Sequence, residues 1–194
     1  MTTTAVDRGP YRIHRYPSAL MHQVPLADGR VVTVRPVLPQ DAHAERAFVA
    51  SLSPAMRHRR FLATMRELPE SLLRSLTEID YRSHLAIVAE TVECVGLDDE
   101  DGEPCIVADA RYVLEERGDR AEFAVVVADR WQGLGLGSAL IGRLVGEARR
   151  RGLARLHGEV LADNAPMIGL VRRPGGRFSP HLEDSSRVRA PFLL

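Results

Sequence analysis

Hydrophobic positions along this chain recur with two periods, near 2 in some stretches and near 3.6 in others. Residues 31–37, VVTVRPV, are β-branched and strand-like. Pro39-Gln40-Asp41 then opens a helix through Ser51 that carries Ala44, Ala47, Phe48 and Leu52 on one face. Ser53-Pro54 starts a second, short helix ending near Phe61, and Pro69 starts a third that carries Leu72, Leu73 and Leu76. Residues 85–95 and 105–114 read as two strands of a hairpin around the acidic turn 98–102, and after a polar turn at 115–119 residues 121–127 make the third strand of a meander. A long helix follows over 137–151, with a stripe of Leu140, Ile141, Leu144, Val145 and Ala148. Arg149, Arg150 and Arg151 suit its negative end, and Gly152 is a natural stop. The strand at 155–161 must run parallel to 121–127, because a helix separates them. Asn164 leads a short helix to Val171, Pro174-Gly175-Gly176 ends it, and the tail 177–194 holds two short strands.

Composition narrows the class of protein. A chain of 194 residues fits one domain with a little to spare, and 45% hydrophobic residues supply a core. Residues 1–22 are polar and read as an N-terminal arm, leaving 23–194 as the domain. Twenty-six basic residues balance twenty-six acidic ones, so no basic excess points to nucleic acid. No apolar run has membrane-spanning length, and the first twenty residues lack the apolar core of a signal peptide, so the expected location is the cytoplasm. Cys94 and Cys105 face each other across the predicted hairpin without a Cys-x-x-Cys spacing, and in a cytosolic protein the expectation is two reduced, structural thiols.

The chemistry concentrates where the strand 121–127 runs through Gln132-Gly133-Leu134-Gly135-Leu136-Gly137-Ser138 into the long helix. Glycines let a backbone approach a ligand closely, and a helix start offers unpaired N–H groups and the positive end of a dipole, which together suit a phosphate or pyrophosphate. A plain strand–helix corner would also use glycine. A dinucleotide-binding Gly-x-Gly-x-x-Gly would need glycine where Ser138 stands, and belongs on the first unit of a parallel sheet. A P-loop would need a lysine that is missing here.

The same residues resemble the Gln/Arg-x-x-Gly-x-Gly/Ala loop of the GCN5-related N-acetyltransferase (GNAT) superfamily. The order of elements from about Val24 to Val171 follows that family. Several stretches are similar, more narrowly, to the acetyltransferase domain of bacterial protein lysine acetyltransferases. They are Val32-Thr33-Val34-Arg35-Pro36, Leu52-Ser53-Pro54, Arg59-Arg60-Phe61, Ile79-Asp80-Tyr81, Ala121-Glu122-Phe123 and Gly158-Glu159-Val160-Leu161. The resemblance implies an α/β GNAT fold, with a central mixed, mostly antiparallel sheet flanked by helices. Its fourth and fifth strands, 121–127 and 155–161, would be parallel and splayed apart. Acetyl-CoA would lie in the splay as acyl donor, with no metal. Val125, Val126 and Val127 would hold the pantetheine arm, chiefly through the backbone of Val125 and Val127. Gln132, Gly133, Leu134, Gly135, Leu136, Gly137 and Ser138 would wrap the pyrophosphate. Asn164 would reach the cofactor from the last helix, or cap that helix, or both.

The implied reaction is direct attack of a primary amine on the thioester in a ternary complex. The resemblance favours a protein lysine side chain as acceptor, with a small-molecule amine as the alternative. A non-catalytic acyl-CoA-binding or regulatory module is a third reading. Glu122 is the first choice of base: it stands at the start of an apolar strand, related lysine acetyltransferases place a catalytic glutamate on this strand, and partial burial would raise its pKa toward a working value. Glu159 and His157 are reserves. The tyrosine with which many GNAT enzymes protonate the leaving thiolate falls at Val171, so no general acid is assigned. Glu78, Asp80 and the 98–101 cluster would attract a cationic acceptor or simply be solvated. Strand edges in the tail offer a way for two copies to pair as a homodimer.

Overall fold

The computed structural model describes residues 16–63, 65–94, 104–116, 118–172, 179–180 and 186–194. Among these residues eight strands form one mixed sheet in the order β1-β2-β3-β4-β5-β6-β8-β7. They are β1 (His22–Pro25), β2 (Val31–Pro36), β3 (His84–Thr91), β4 (Cys105–Leu114), β5 (Arg120–Val127), β6 (Arg155–Leu161), β7 (Ser179–Pro180) and β8 (Arg187–Leu193). Every neighbouring pair is antiparallel except β5 and β6. The expected mixed, mostly antiparallel sheet with one parallel pair is present, and the pair expected as fourth and fifth becomes fifth and sixth. The added strand is β1, whose four residues are too short and polar to carry an alternating signal.

Among the described residues five α-helices cover the two faces: α1 (Ala42–Ser51), α2 (Pro54–Phe61), α3 (Glu70–Thr77), α4 (Leu136–Arg150) and α5 (Ala165–Arg172). Successive residues of a strand point to opposite faces. On β4, Arg111 reaches Glu45 of α1, whereas Tyr112 lies under Arg151 just after α4, so α1 and α4 lie on opposite faces. The α4 stripe forms as expected, with Leu140, Ile141, Leu144, Val145 and Ala148 all buried. Gly152, at φ +71°, ends that helix. On α1 the apolar pattern missed two buried residues, Val49 and, against its polarity, Glu45, which is only 1% exposed. It is buried because Arg111 offers it a partner across the core.

The expectation of reduced thiols is overturned, because Cys94 and Cys105 form a disulfide with Cα atoms 5.7 Å apart. Hairpin register explains it: Cys105 is paired with Thr91, and Cys94 follows just beyond on the opposing turn. The acidic turn 98–102 and Pro174-Gly175-Gly176 lie outside the described residues. The stretch read as an arm contributes a short 3-10 turn, Ser18–Leu20, and Tyr16 packs edge-on against Tyr81. No helix among the described residues is long and apolar enough to cross a membrane.

Candidate active site

The parallel ladder between β5 and β6 is short. It pairs Arg120, Ala121 and Glu122 with Arg155, Leu156 and His157, and goes no further. At its end the strands approach so closely that a Cβ on Gly158 would meet the Phe123 carbonyl at 2.9 Å. Beyond that point they diverge. Ala128 N–H donates to Val107 O and Arg120 O accepts from Glu115 N–H, so the even-numbered residues of β5 spend their backbone groups on the β4 side. Val125 and Val127 therefore direct theirs into the gap. A buried peptide group needs a partner. The Val127 carbonyl has one at 2.9 Å in the Gln132 side-chain amide, and the rest of this edge faces the cleft. Val126 is committed to β4 and offers the cleft only its side chain.

The cleft, about 430 Å³, is of ordinary ligand-site size. At one end lies the start of α4. Gly135 is its N-cap at φ +91°, with no side-chain cap and no acidic residue in the first turn. The orphan N–H groups of that turn and the positive pole of the helix are left for an anion. Gly133 is also left-handed, at φ +75°, and a Cβ on either glycine would meet no atom within 4 Å, so these positions line open space. Gly137 is different, because a Cβ there would sit 3.0 Å from Leu170 of α5. It allows the two helices to close on one another.

Of the sequence-predicted residues, the structure brings Val125, Val126, Val127, Gln132, Gly133, Gly135, Gly137, Ser138 and Asn164 onto the wall of this one cleft. Leu134 and Leu136 turn inward, Leu136 completely, and anchor the loop in the core. Asn164 caps α5, its Oδ1 accepting from Met167 N–H at 3.3 Å, while also lining the cleft. Glu122 stands on the last rung of the parallel ladder, outside the cleft wall, on the face that carries Arg111. Its side chain is exposed, so the expected partial burial is not found. His157, directly across from it, is buried, with Nε2 3.3 Å from the Glu115 carboxylate. Burial pulls its pKa down against the opposing pull of Glu115, which favours a neutral ring at pH 7. Glu159 pairs with Arg187 at 3.1 Å. Val171 is fully buried, and none of the described tyrosines lines the cleft.

Sequence reasoning missed the third wall. Met56, Arg59 and Arg60 of α2 close the cleft opposite α5. Asp129 docks α2 there by accepting from Ser53 N–H at 3.2 Å and Ser53 Oγ at 3.0 Å. The Arg59-Arg60-Phe61 stretch was a signal, but only of family likeness. Arg60 is paired behind the wall with Asp109 at 3.4 Å, so Arg59, an uncapped helix start and a strand edge with unspent backbone groups are what suit an elongated anion with an amide-bearing arm.

Residues 57–175 match the acetyltransferase (GNAT) family. An acetyltransferase of Pseudomonas aeruginosa is 39% identical over 165 residues, which cover 84% of each chain. Acetyltransferase Pat of Mycolicibacterium smegmatis is 34% identical over 153 residues, 78% of this chain but only 43% of that protein's length. Among solved structures, the GNAT domain of S. lividans PAT superposes with a TM-score of 0.79 at 28% identity, covering 93% of this chain and all of that domain.

Proposed function

This chain belongs to the acetyltransferase (GNAT) family, an acyltransferase using acetyl-CoA, and we propose that its acceptor is a protein lysine side chain, with Glu122 as the base. The observation that carries the proposal is the position of Glu122, at the point where the parallel strands part. The donor would lie along the gap, its pantetheine arm bonded to Val125 and to the Val127 N–H, and its pyrophosphate at Gly133, Gly135, Gly137 and Ser138. The thioester would then sit at the closed end, near Glu122. Asn164 would add a side-chain contact.

A free lysine of pKa about 10.4 is protonated at pH 7, and releasing the lone pair costs about 4.6 kcal/mol. The Glu122 carboxylate, directly or through water, would take that proton as the amine attacks the carbonyl carbon. The C–S bond then breaks, an amide remains, and the CoA thiolate leaves. With Val171 where a phenol would stand, the thiolate takes its proton from solvent. Exposure of Glu122 is consistent with an acceptor that brings its own surface and covers the carboxylate on docking. A soluble location in the cytoplasm is part of the same reading, as is a single catalytic domain over 23–194.

The test compares lysine-bearing peptides with small primary amines as acceptors, for the wild type and Glu122→Gln. Lysine peptides should be acetylated, and the variant should lose about 10²-fold or more in kcat with its acetyl-CoA Kd unchanged. Turnover of small amines alone would overturn the acceptor, and undiminished turnover by the variant would remove Glu122 from the chemistry.

A further inference from the structure

The geometry points to the β1–β2 turn as the positioning device for the pyrophosphate loop, an inference that rests on the reading of that loop as the donor's phosphate site. The turn is a three-residue hairpin connection: Gly29 N–H donates to Leu26 O at 3.0 Å, Leu26 N–H donates to Arg30 O at 2.8 Å, and Gly29 is left-handed at φ +89°. Asp28 locks it, accepting from Arg30 N–H at 3.1 Å and from Arg30 Nε at 2.7 Å. Two contacts join this turn to the loop. Ala27 N–H donates to Leu134 O at 3.1 Å, and the Arg30 guanidinium lies 3.9 Å over the centre of the Trp131 ring. Trp131 is 6% exposed and directly precedes Gln132.

The Ala27 bond acts on the ligand side of the loop through the geometry of one peptide unit. In a trans peptide the carbonyl oxygen and the following N–H point in opposite directions from a rigid plane. The Leu134 carbonyl and the Gly135 N–H belong to one such plane. Holding Leu134 O toward the turn therefore aims the Gly135 N–H away from it, and Gly135 lines the cleft. With left-handed glycines on either side of Leu134 this plane would otherwise rotate easily. Arg30 over Trp131 fixes the near end of the same loop, and a cation–π contact with a largely buried indole is favourable without a buried counter-charge. The turn lies outside the matched family region of residues 57–175, so nothing in the loop motif announces it. Ala27 and Arg30 are positioning residues. They touch no donor atom, and they set the donor-facing amide in place before the ligand arrives.

Ala27→Pro removes the one N–H while keeping a residue suited to the second position of the turn. Calorimetric titration with acetyl-CoA and with acetyl-pantetheine, which lacks the pyrophosphate, separates positioning from general loosening. The expected result is an acetyl-CoA Kd about 10-fold weaker, with acetyl-pantetheine affinity and Tm unchanged. Arg30→Ala should weaken acetyl-CoA by several-fold, with partial rescue in Arg30→Lys, and it keeps the test alive if the proline variant does not fold. Wild-type acetyl-CoA affinity in both variants would overturn the brace and leave the loop reading standing. Equal losses for both ligands would overturn it in favour of a merely structural turn. A wild type that binds acetyl-CoA no better than acetyl-pantetheine would instead bring down the loop reading and the brace with it.

Discussion

Two polar regions of this protein treat their charges in opposite ways. Between β4 and the α1–α3 layer lies a buried ionic cluster of Glu45, Arg60, Asp109, Arg111 and His84. Asp109 is gripped by Arg111 and also meets Arg60 at 3.4 Å. Arg111 further reaches Glu45 at 3.7 Å and donates to Leu76 O at 2.9 Å. Burial would raise the Asp109 pKa, but the two guanidiniums outweigh it and hold it below the usual range. Glu45, equally buried, is pushed up to about 8 by burial and the Asp109 charge, despite Arg111. The cleft on the far side of β5 is the reverse. Its strand edge, helix start and glycine loop hold polar groups without partners among the described residues, and they face the cleft. A cluster whose charges are balanced against one another inside the core is structure. A set of preorganised groups that nothing in the chain satisfies is a site.

The largest effect that would sharpen this contrast is on the cluster. Arg111→Met leaves buried Asp109 with only its longer contact to Arg60 and should cost about 3–5 kcal/mol in denaturant unfolding, while the folded fraction binds acetyl-CoA within a few-fold of wild type. A parallel collapse of binding would mean that the two regions are one unit. Next is the pH response. Burial first, and then Arg111, depress His84 from 6.5 to about 4. The fold thus requires a neutral ring, and the associated stability is present above pH 6.5 and lost as pH falls toward 4. Unfolding of wild type against His84→Asn should show the difference between them shrinking by about 3 kcal/mol over that interval. A pH-independent difference would remove His84 from the balance.

On the cleft side the signs reverse, with large losses of binding and small losses of stability. Gly135→Glu meets no steric obstacle but adds left-handed strain and a carboxylate among the phosphate donors. Acetyl-CoA affinity should fall by about 100-fold or more for about 1–2 kcal/mol of stability. Unchanged affinity would remove the pyrophosphate from this loop. The smallest effect is expected at Asn164, which belongs to both categories. Asn164→Ala should cost about 1 kcal/mol through the lost α5 cap. Asn164→Asp keeps an oxygen for that cap and should recover the stability. Recovery of acetyl-CoA affinity as well would show that the side-chain amide makes no separate contact with the donor.

Much of this was legible along the chain. Period and punctuation predict the α4 stripe, the meander and the parallel return, because these follow from local side-chain spacing and from a helix interposed between two strands. Gln132–Ser138 is legible for the same reason: a phosphate loop is made of consecutive residues, and its chemistry lies in glycine and backbone. β1 was too short to announce itself. Glu45 reads as a polar position on its helix, and nothing near it in sequence says that Arg111, on the far side of three other elements, will meet it in the core.

What the sequence by itself determined is therefore whatever depends on near neighbours: the elements, their order, the loop and the family. Only the tertiary structure decided which groups face one another. It closed Cys94 onto Cys105, set α2 as the third wall through Asp129, and placed the Ala27 turn behind Leu134. It also left Glu122 exposed at the foot of the splay. The physical reason is range. A side chain's period is read over a few residues, whereas a pair of charges or a hydrogen bond forms wherever the folded chain brings its partners within a few ångströms, however far apart they stand in the sequence.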